Sequence, residues 1–145
     1  MTIETDAYAY LRITGSGSVD LITQQMGLEP DDGWSEGDPM RRGHGNYKFS
    51  NWKLDSGEKK GRPLDSHIRA LWKRIAPYEK RLNQLGPEYS RYLVCTAWFP
   101  NKDSGFTIAA GHFGTIAYYR LEIDFDFYFL DNFGDGNNGN DYASW

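Results

Sequence analysis

At 145 residues the chain is long enough to bury one core without staples and short enough for a single domain. Its one cysteine, Cys95, excludes an internal disulfide framework and a multi-cysteine zinc site, and no apolar run is long enough to span a bilayer. The net charge of −4 conceals three blocks: one basic residue against eight acidic ones in residues 1–40, thirteen against five in 41–91, and two against seven in 92–145. Such blocks steer partners or pair with one another inside the fold; they do not decide the fold.

The opening "MTIETDAYAYLRIT" lacks the basic start and continuous apolar stretch of a secretion signal, so a cytoplasmic protein is expected. Within it, 8–14 alternates: Ala9, Leu11 and Ile13 fall on one face, Tyr8, Tyr10, Arg12 and Thr14 on the other, which predicts a half-buried strand. In "GSGSVDLITQQMGL" Ser18 is a good N-cap, Asp20 suits the positive end of a helix, and Gly27 is a fitting stop. Residues 29–45, rich in Gly, Pro and Asp, read as a long loop. A strand is expected over 46–54, with a change of parity between Tyr47/Phe49 and Trp52/Leu54 that predicts a β-bulge at Ser50-Asn51.

From 64 to 85, Ile68, Leu71, Trp72, Ile75, Tyr78, Leu82 and Leu85 recur at helical spacing, and Pro77 predicts a break near Ala76. Residues 90–99 form a strong strand pattern. Segment 106–120 is open between helix and hairpin; a short helix is favoured, with Ala110, Phe113 and Ala117 on one face. A last strand covers 121–130, and the Gly/Asn-rich tail 131–145 is expected to be mobile. The order predicts one α+β domain over 1–130. It is a two-layer sandwich, an antiparallel or mixed sheet of at least four strands with one long and one or two short helices on it.

In "LEIDFDFYFL" (121–130) the acids sit at every second position, so Glu122, Asp124 and Asp126 share one face of a strand. One strand cannot surround a cation, and nothing in the sequence shifts these carboxyls toward acid–base work. The face is either solvated or a surface for a basic partner. Asp31, Asp32, Glu36 and Asp38 surround Trp34 in the long loop, a second candidate docking surface, since tryptophan anchors interfaces and charge steers encounter. "TGSGSVD" lacks the lysine of a P-loop and the third glycine of a dinucleotide fingerprint. Cys95 shares parity with Leu93, Ala97 and Phe99 and reads as core. His44, His67 and His112 have no metal-motif spacing. Arg69, Lys73, Arg74, Lys80 and Arg81 give the long helix a basic face, solvated or turned to an anionic partner.

Together "YLRITGSGSVDLITQQMGLEPDDGWSEGD", "YKFSNWKLDSG", the long helix, "YLVCTAWF" and "LEIDFDFY" resemble the bacterial family grouped as domain of unknown function 4279, over roughly residues 8–130. The resemblance carries no activity and no catalytic residues. Small standalone bacterial proteins of this kind include immunity proteins that neutralise a neighbouring toxin. The expectation is therefore a non-catalytic protein-interaction module, an immunity-type inhibitor occluding a basic toxin domain, with no cofactor or metal and no membrane or nucleic-acid partner. Two alternatives stay open: a small-ligand protein or hydrolase-like enzyme using strand carboxylates, and a binder of anionic partners through the basic helix.

Overall fold

The computed structural model describes residues 6–129; the tail expected to be mobile lies outside the described residues. The elements are β1 (Asp6–Gly15), α1 (Val19–Met26), β2 (Asp32–Trp34), β3 (Ser50–Asp55), α2 (Leu64–Ile75), α3 (Glu79–Gln84), β4 (Ser90–Phe99), α4 (Gly111–Tyr118) and β5 (Glu122–Phe129). The strands form one mixed sheet in the order β2-β3-β1-β4-β5. Neighbours are antiparallel except β4 and β5, which run parallel because α4 carries the chain back between them.

β1 lies at the centre and alternates as its sequence requires. Ala9, Leu11 and Ile13 are fully buried, and they join Trp52 and Leu54 of β3 and Leu93, Cys95 and Ala97 of β4 on one face. Ile22 and Met26 of α1, Ile68, Leu71 and Ile75 of α2, Leu82 of α3 and Ile116 of α4 cover that face. The result is the expected two-layer α+β sandwich, a five-stranded mixed sheet with its helices on one side.

The turn into α1 is built as its residues imply. Ser18 Oγ accepts from the Asp20 amide at 3.1 Å, and Ser35 Oγ from the Val19 amide at 2.9 Å, so two hydroxyls satisfy free donors of the first turn. Gly27 ends the helix at φ 68°, its amide bonded to the Thr23 carbonyl. Further on, α2 stops at Ile75, a 3-10 turn spans Ala76–Tyr78 around Pro77, and α3 resumes the same apolar stripe.

Three local expectations change. Segment 29–45 is not structureless. β2 pairs its Asp32–Trp34 with β3, and a Pro39–Asn46 bridge folds the remainder back. β2 is too short to show an alternation, and it needs Gly33, where a Cβ would stand 2.5 Å from the Asn51 carbonyl. There is no bulge at Ser50-Asn51, because the β1–β3 register runs unbroken from Tyr10–Asp55 to Gly15–Ser50. The parity change marks the strand's start, with Tyr47 and Phe49 lying before it. The helix in 106–120 exists, but its buried face carries His112, Ile116 and Tyr119, while Phe113 is half exposed.

Polar bonding explains that last rotation. The Trp72 indole N–H donates to His112 Nδ1 at 3.0 Å, and His112 Nε2 lies 2.7 Å from Asp65 Oδ1, which also accepts from the Ala109 amide. A ring that accepts at Nδ1 donates from Nε2, so the imidazole clamps α4 to the start of α2. Burial tends to raise the Asp65 carboxyl, but the Ala109 and His112 hydrogen bonds outweigh it and hold the group below its ordinary value. The same balance holds at Asp31, where bonds from Arg74 and from the Asp55 amide overcome desolvation.

Trp52 is completely buried and its indole N–H donates to Thr23 Oγ1 at 3.2 Å, joining β3 to α1. Trp52→Ala should cost about 3–5 kcal/mol of unfolding free energy, and Thr23→Val about 1, both read from urea transitions. Because the Asp31 and Asp65 pKa values are depressed, their contribution is present above the ordinary carboxyl value of 3.8 and lost as pH falls through and below it. The melting temperature should therefore drop on acidification below about pH 4. The double variant Asp31→Asn/Asp65→Asn should melt lower at neutral pH and show a flatter acid slope.

Candidate functional site

With the helices on one side, the opposite parity of every strand meets solvent or a partner. That face carries Tyr8, Tyr10 and Arg12 of β1, Asn51 and Lys53 of β3, Val94, Thr96 and Trp98 of β4, and the acid ladder of β5. No helix covers it among the described residues.

Its centre is a row of standing rings. Tyr10 stacks on Tyr8, Tyr8 on Trp98, and Trp98 on Tyr128, with centroids 5.5–5.6 Å apart and planes within 22°. Rings stacked on one another hide their faces and present edges and hydroxyls outward. Between them Val94 and Thr96 are almost fully buried although they lie on the uncovered side. The Lys53 ammonium lies 4.2 Å from the Tyr10 ring centre, and Arg12 sits 4.6 Å over Tyr92. Burial, then the neighbouring Tyr8, pushes the Tyr10 phenol up to about 12 against the opposing Arg12, so it stays a neutral hydroxyl.

The acid ladder is more than a wet strand face. Asp124 is ion-paired with Arg12. Asp126 Oδ2 accepts from the Tyr128 hydroxyl at 3.0 Å, while its Oδ1 is buried with no hydrogen-bond partner. Thr96, its register neighbour on β4, likewise has a buried hydroxyl without a partner. Glu122 is exposed.

The loop acids are largely engaged within the chain. Asp31 pairs with Arg74 at 2.7 Å, and Asp32 with Arg41 at 2.8 Å. The Arg41 bond, opposed by partial burial, holds the Asp32 carboxyl below its usual range. Asp38 accepts from the Ser35 amide at 2.9 Å, and Glu36 is exposed. Trp34 stacks on Tyr47 at 4.1 Å and donates its indole N–H to the Phe49 carbonyl. β2 and β5 are opposite edges of the sheet, so Asp32 and the ladder lie about 19 Å apart, at four strand spacings.

Two hollows open on the sheet. One of about 680 Å³ is lined by Asp6, Tyr8, Lys53, Ser56, Glu58, His67 and Trp98. In it Ser56 Oγ and His67 Nδ1 are 2.8 Å apart; burial lowers the His67 pKa, and the pair ties the turn after β3 to α2. The second, about 650 Å³, lies over β1–β3 and includes Arg12, Asn51, Lys53, Trp34 and Phe49. Both volumes are in the range of small-molecule sites. The sequence reading missed Tyr8, Tyr10, Arg12, Lys53 and Trp98. The available signal was the second parity of β1 and β4, an aromatic and cationic set opposite the aliphatic one.

Other candidate groups are structural. Burial pushes the Cys95 thiol up to about 12, which suits core packing rather than nucleophilic chemistry. On the basic stretch, Arg69 pairs with Asp65, Arg74 with Asp31, and Arg81 donates to the Gln24 and Gln25 carbonyls at the end of α1. Four of the five are exposed, and only Arg74 is partly buried. Among the described residues no three His, Cys, Asp or Glu side chains converge as a metal-binding group, and no helix is long and apolar enough to cross a membrane.

Comparison with curated proteins and with solved structures gave no match. The family model for domain of unknown function 4279 matches residues 5–130. Its span takes in every strand and helix described above, and the chain belongs to that family.

Proposed function

We propose that this chain is a non-catalytic binding module that engages a protein partner through the uncovered face of its sheet, in the manner of an immunity-type inhibitor that occludes a toxin domain. The observation carrying this reading is the ring row Tyr10–Tyr8–Trp98–Tyr128 with Asp124 and Asp126 beside it. The rings hold one another, and Arg12 holds Asp124, so a partner meets a surface whose side chains lose little freedom on binding. Asp126, half-buried beside the row, offers a carboxylate to a donor on the partner, such as a lysine or arginine. Electrostatic docking through the loop acids has less support, because Asp31 and Asp32 already have arginine partners. A nucleic-acid reading fits poorly: bases stack on free ring faces, and these ring faces are stacked on one another.

The test is affinity capture from a native host extract, with stoichiometry by mass spectrometry and folding checked by thermal melting. Wild type is compared with Trp98→Ala and with Glu122→Gln/Asp124→Asn/Asp126→Asn. A partner in near-equal amount to the bait should be retained by wild type and fall at least roughly tenfold for both variants. Equal retention by all three folded forms, or no stoichiometric partner at all, overturns the reading.

A further inference from the structure

The hollow over β1–β3 contains two polar atoms that the fold itself leaves unused. Asn51 is 6 % exposed, lines the hollow, and its Oδ1 is buried with no hydrogen-bond partner. Arg12 lines it as well, and its Nε–H meets no acceptor in hydrogen-bond geometry. An unmade bond at a buried acceptor costs free energy in the folded chain, and replacing such a group by an apolar one is neutral or favourable. Asn51 therefore weakens the free protein through its unpaired carbonyl oxygen.

The charges around the hollow are already matched. Arg12 is paired with Asp124, Lys53 lies 3.6 Å from Asp55, and Asp32 holds Arg41. No unbalanced charge asks for a counter-ion. Of the buried polar side-chain atoms in this lining, one donor and one acceptor have no partner, and the rings of Trp34, Phe49 and Tyr92 line the same hollow, Phe49 about half exposed.

We infer that this hollow is a binding site for a neutral planar amide on an aromatic or heteroaromatic body, its carbonyl accepting from Arg12 and its N–H donating to Asn51. Such a group satisfies both orphan atoms at once and places its flat apolar part against the three rings. The chemistry is that of free aromatic amides and lactam-type bases; the carboxamide side chain of a peptide has the amide without the ring. The inference goes beyond the partner-binding reading; the two share Tyr10 and Arg12 of β1, but this one is tested at Asn51 and Phe49 and that one at Trp98 and the β5 carboxylates. Either can fail alone.

The test is titration of the full chain by two-dimensional NMR, following the Trp34 indole and the Gly15 and Lys53 amides. Benzamide is the probe; benzoate (charged, no N–H) and N,N-dimethylbenzamide (no N–H) are the controls, and a glutamine-containing and a matched glutamate-containing peptide form the peptide arm. Saturable shifts with benzamide are expected, with both aromatic controls roughly tenfold or more weaker. Asn51→Leu should lose the preference for benzamide over its dimethyl analogue while resisting urea at least as well as wild type. Phe49→Ala, an exposed change, should weaken benzamide without altering the fold. Saturation by the glutamine peptide with none by benzamide shows an amide read without its ring and overturns the inference. Benzoate or the dimethyl amide binding as well as benzamide, an unchanged preference in Asn51→Leu, or no saturable shift from benzamide overturns it as well.

Discussion

In β1, Ala7, Ala9, Leu11 and Ile13 point to one side of the sheet and Tyr8, Tyr10 and Arg12 to the other, and this period-two alternation settles where every helix can lie. β1 is the middle strand, bonded to β3 on one side and β4 on the other, so its two faces become the two faces of the whole sheet. On the aliphatic side β1 brings no polar side-chain atoms and the Trp52 indole N–H of β3 is met by Thr23, so α1, α2, α3 and α4 can seal it. The other side carries hydroxyls, a guanidinium and an ammonium that would be expensive to bury beneath a helix without partners. The two layers follow from that asymmetry, as does a decorated face left for recognition.

Part of the charge in the three sequence blocks is spent inside the fold. The acidic first block meets the basic middle block through Asp31 with Arg74 and Asp32 with Arg41. The acidic last block returns to the first through Asp124 and Arg12. These pairs are partly exposed, so each adds little stability. They fix geometry instead: Arg74 also donates to the Asp55 carbonyl, holding the end of β3, the start of β2 and α2 in one arrangement.

Elements with a single dominant period were legible in the sequence. Strands β1 and β4, the capped α1 and the helix broken at Pro77 all declare themselves through spacing or a residue with fixed backbone demands. What escaped was non-local. A three-residue strand such as β2 has no period to detect, and it exists because β3 offers an edge and Gly33 permits the approach. The inward face of α4 was misassigned because apolar spacing favoured Phe113, whereas the bonds of His112 to Trp72 and Asp65 turned the helix the other way. The acid ladder was placed on the correct side of β5, but its link to Arg12, more than a hundred residues earlier, depends on strand order alone. The aromatic row could be read only as separate alternations until the order β1-β4-β5 brought the rings side by side.

That order also sets the timing of assembly on the ribosome. β1 can pair with β3 once the chain has reached Asp55, but its other neighbour, β4, is complete only at Phe99, and the parallel β5 must wait for α4 to carry the chain back. Such distant pairings form late, after the entropy of closing long loops has been met. Until then Leu11 and Ile13 have half a sheet beneath them, and the Tyr8 ring lacks Trp98. The surface assigned to recognition is thus among the last parts of the molecule to acquire its final form during synthesis, and the nascent chain carries an open β1 edge for the whole interval between residues 55 and 99.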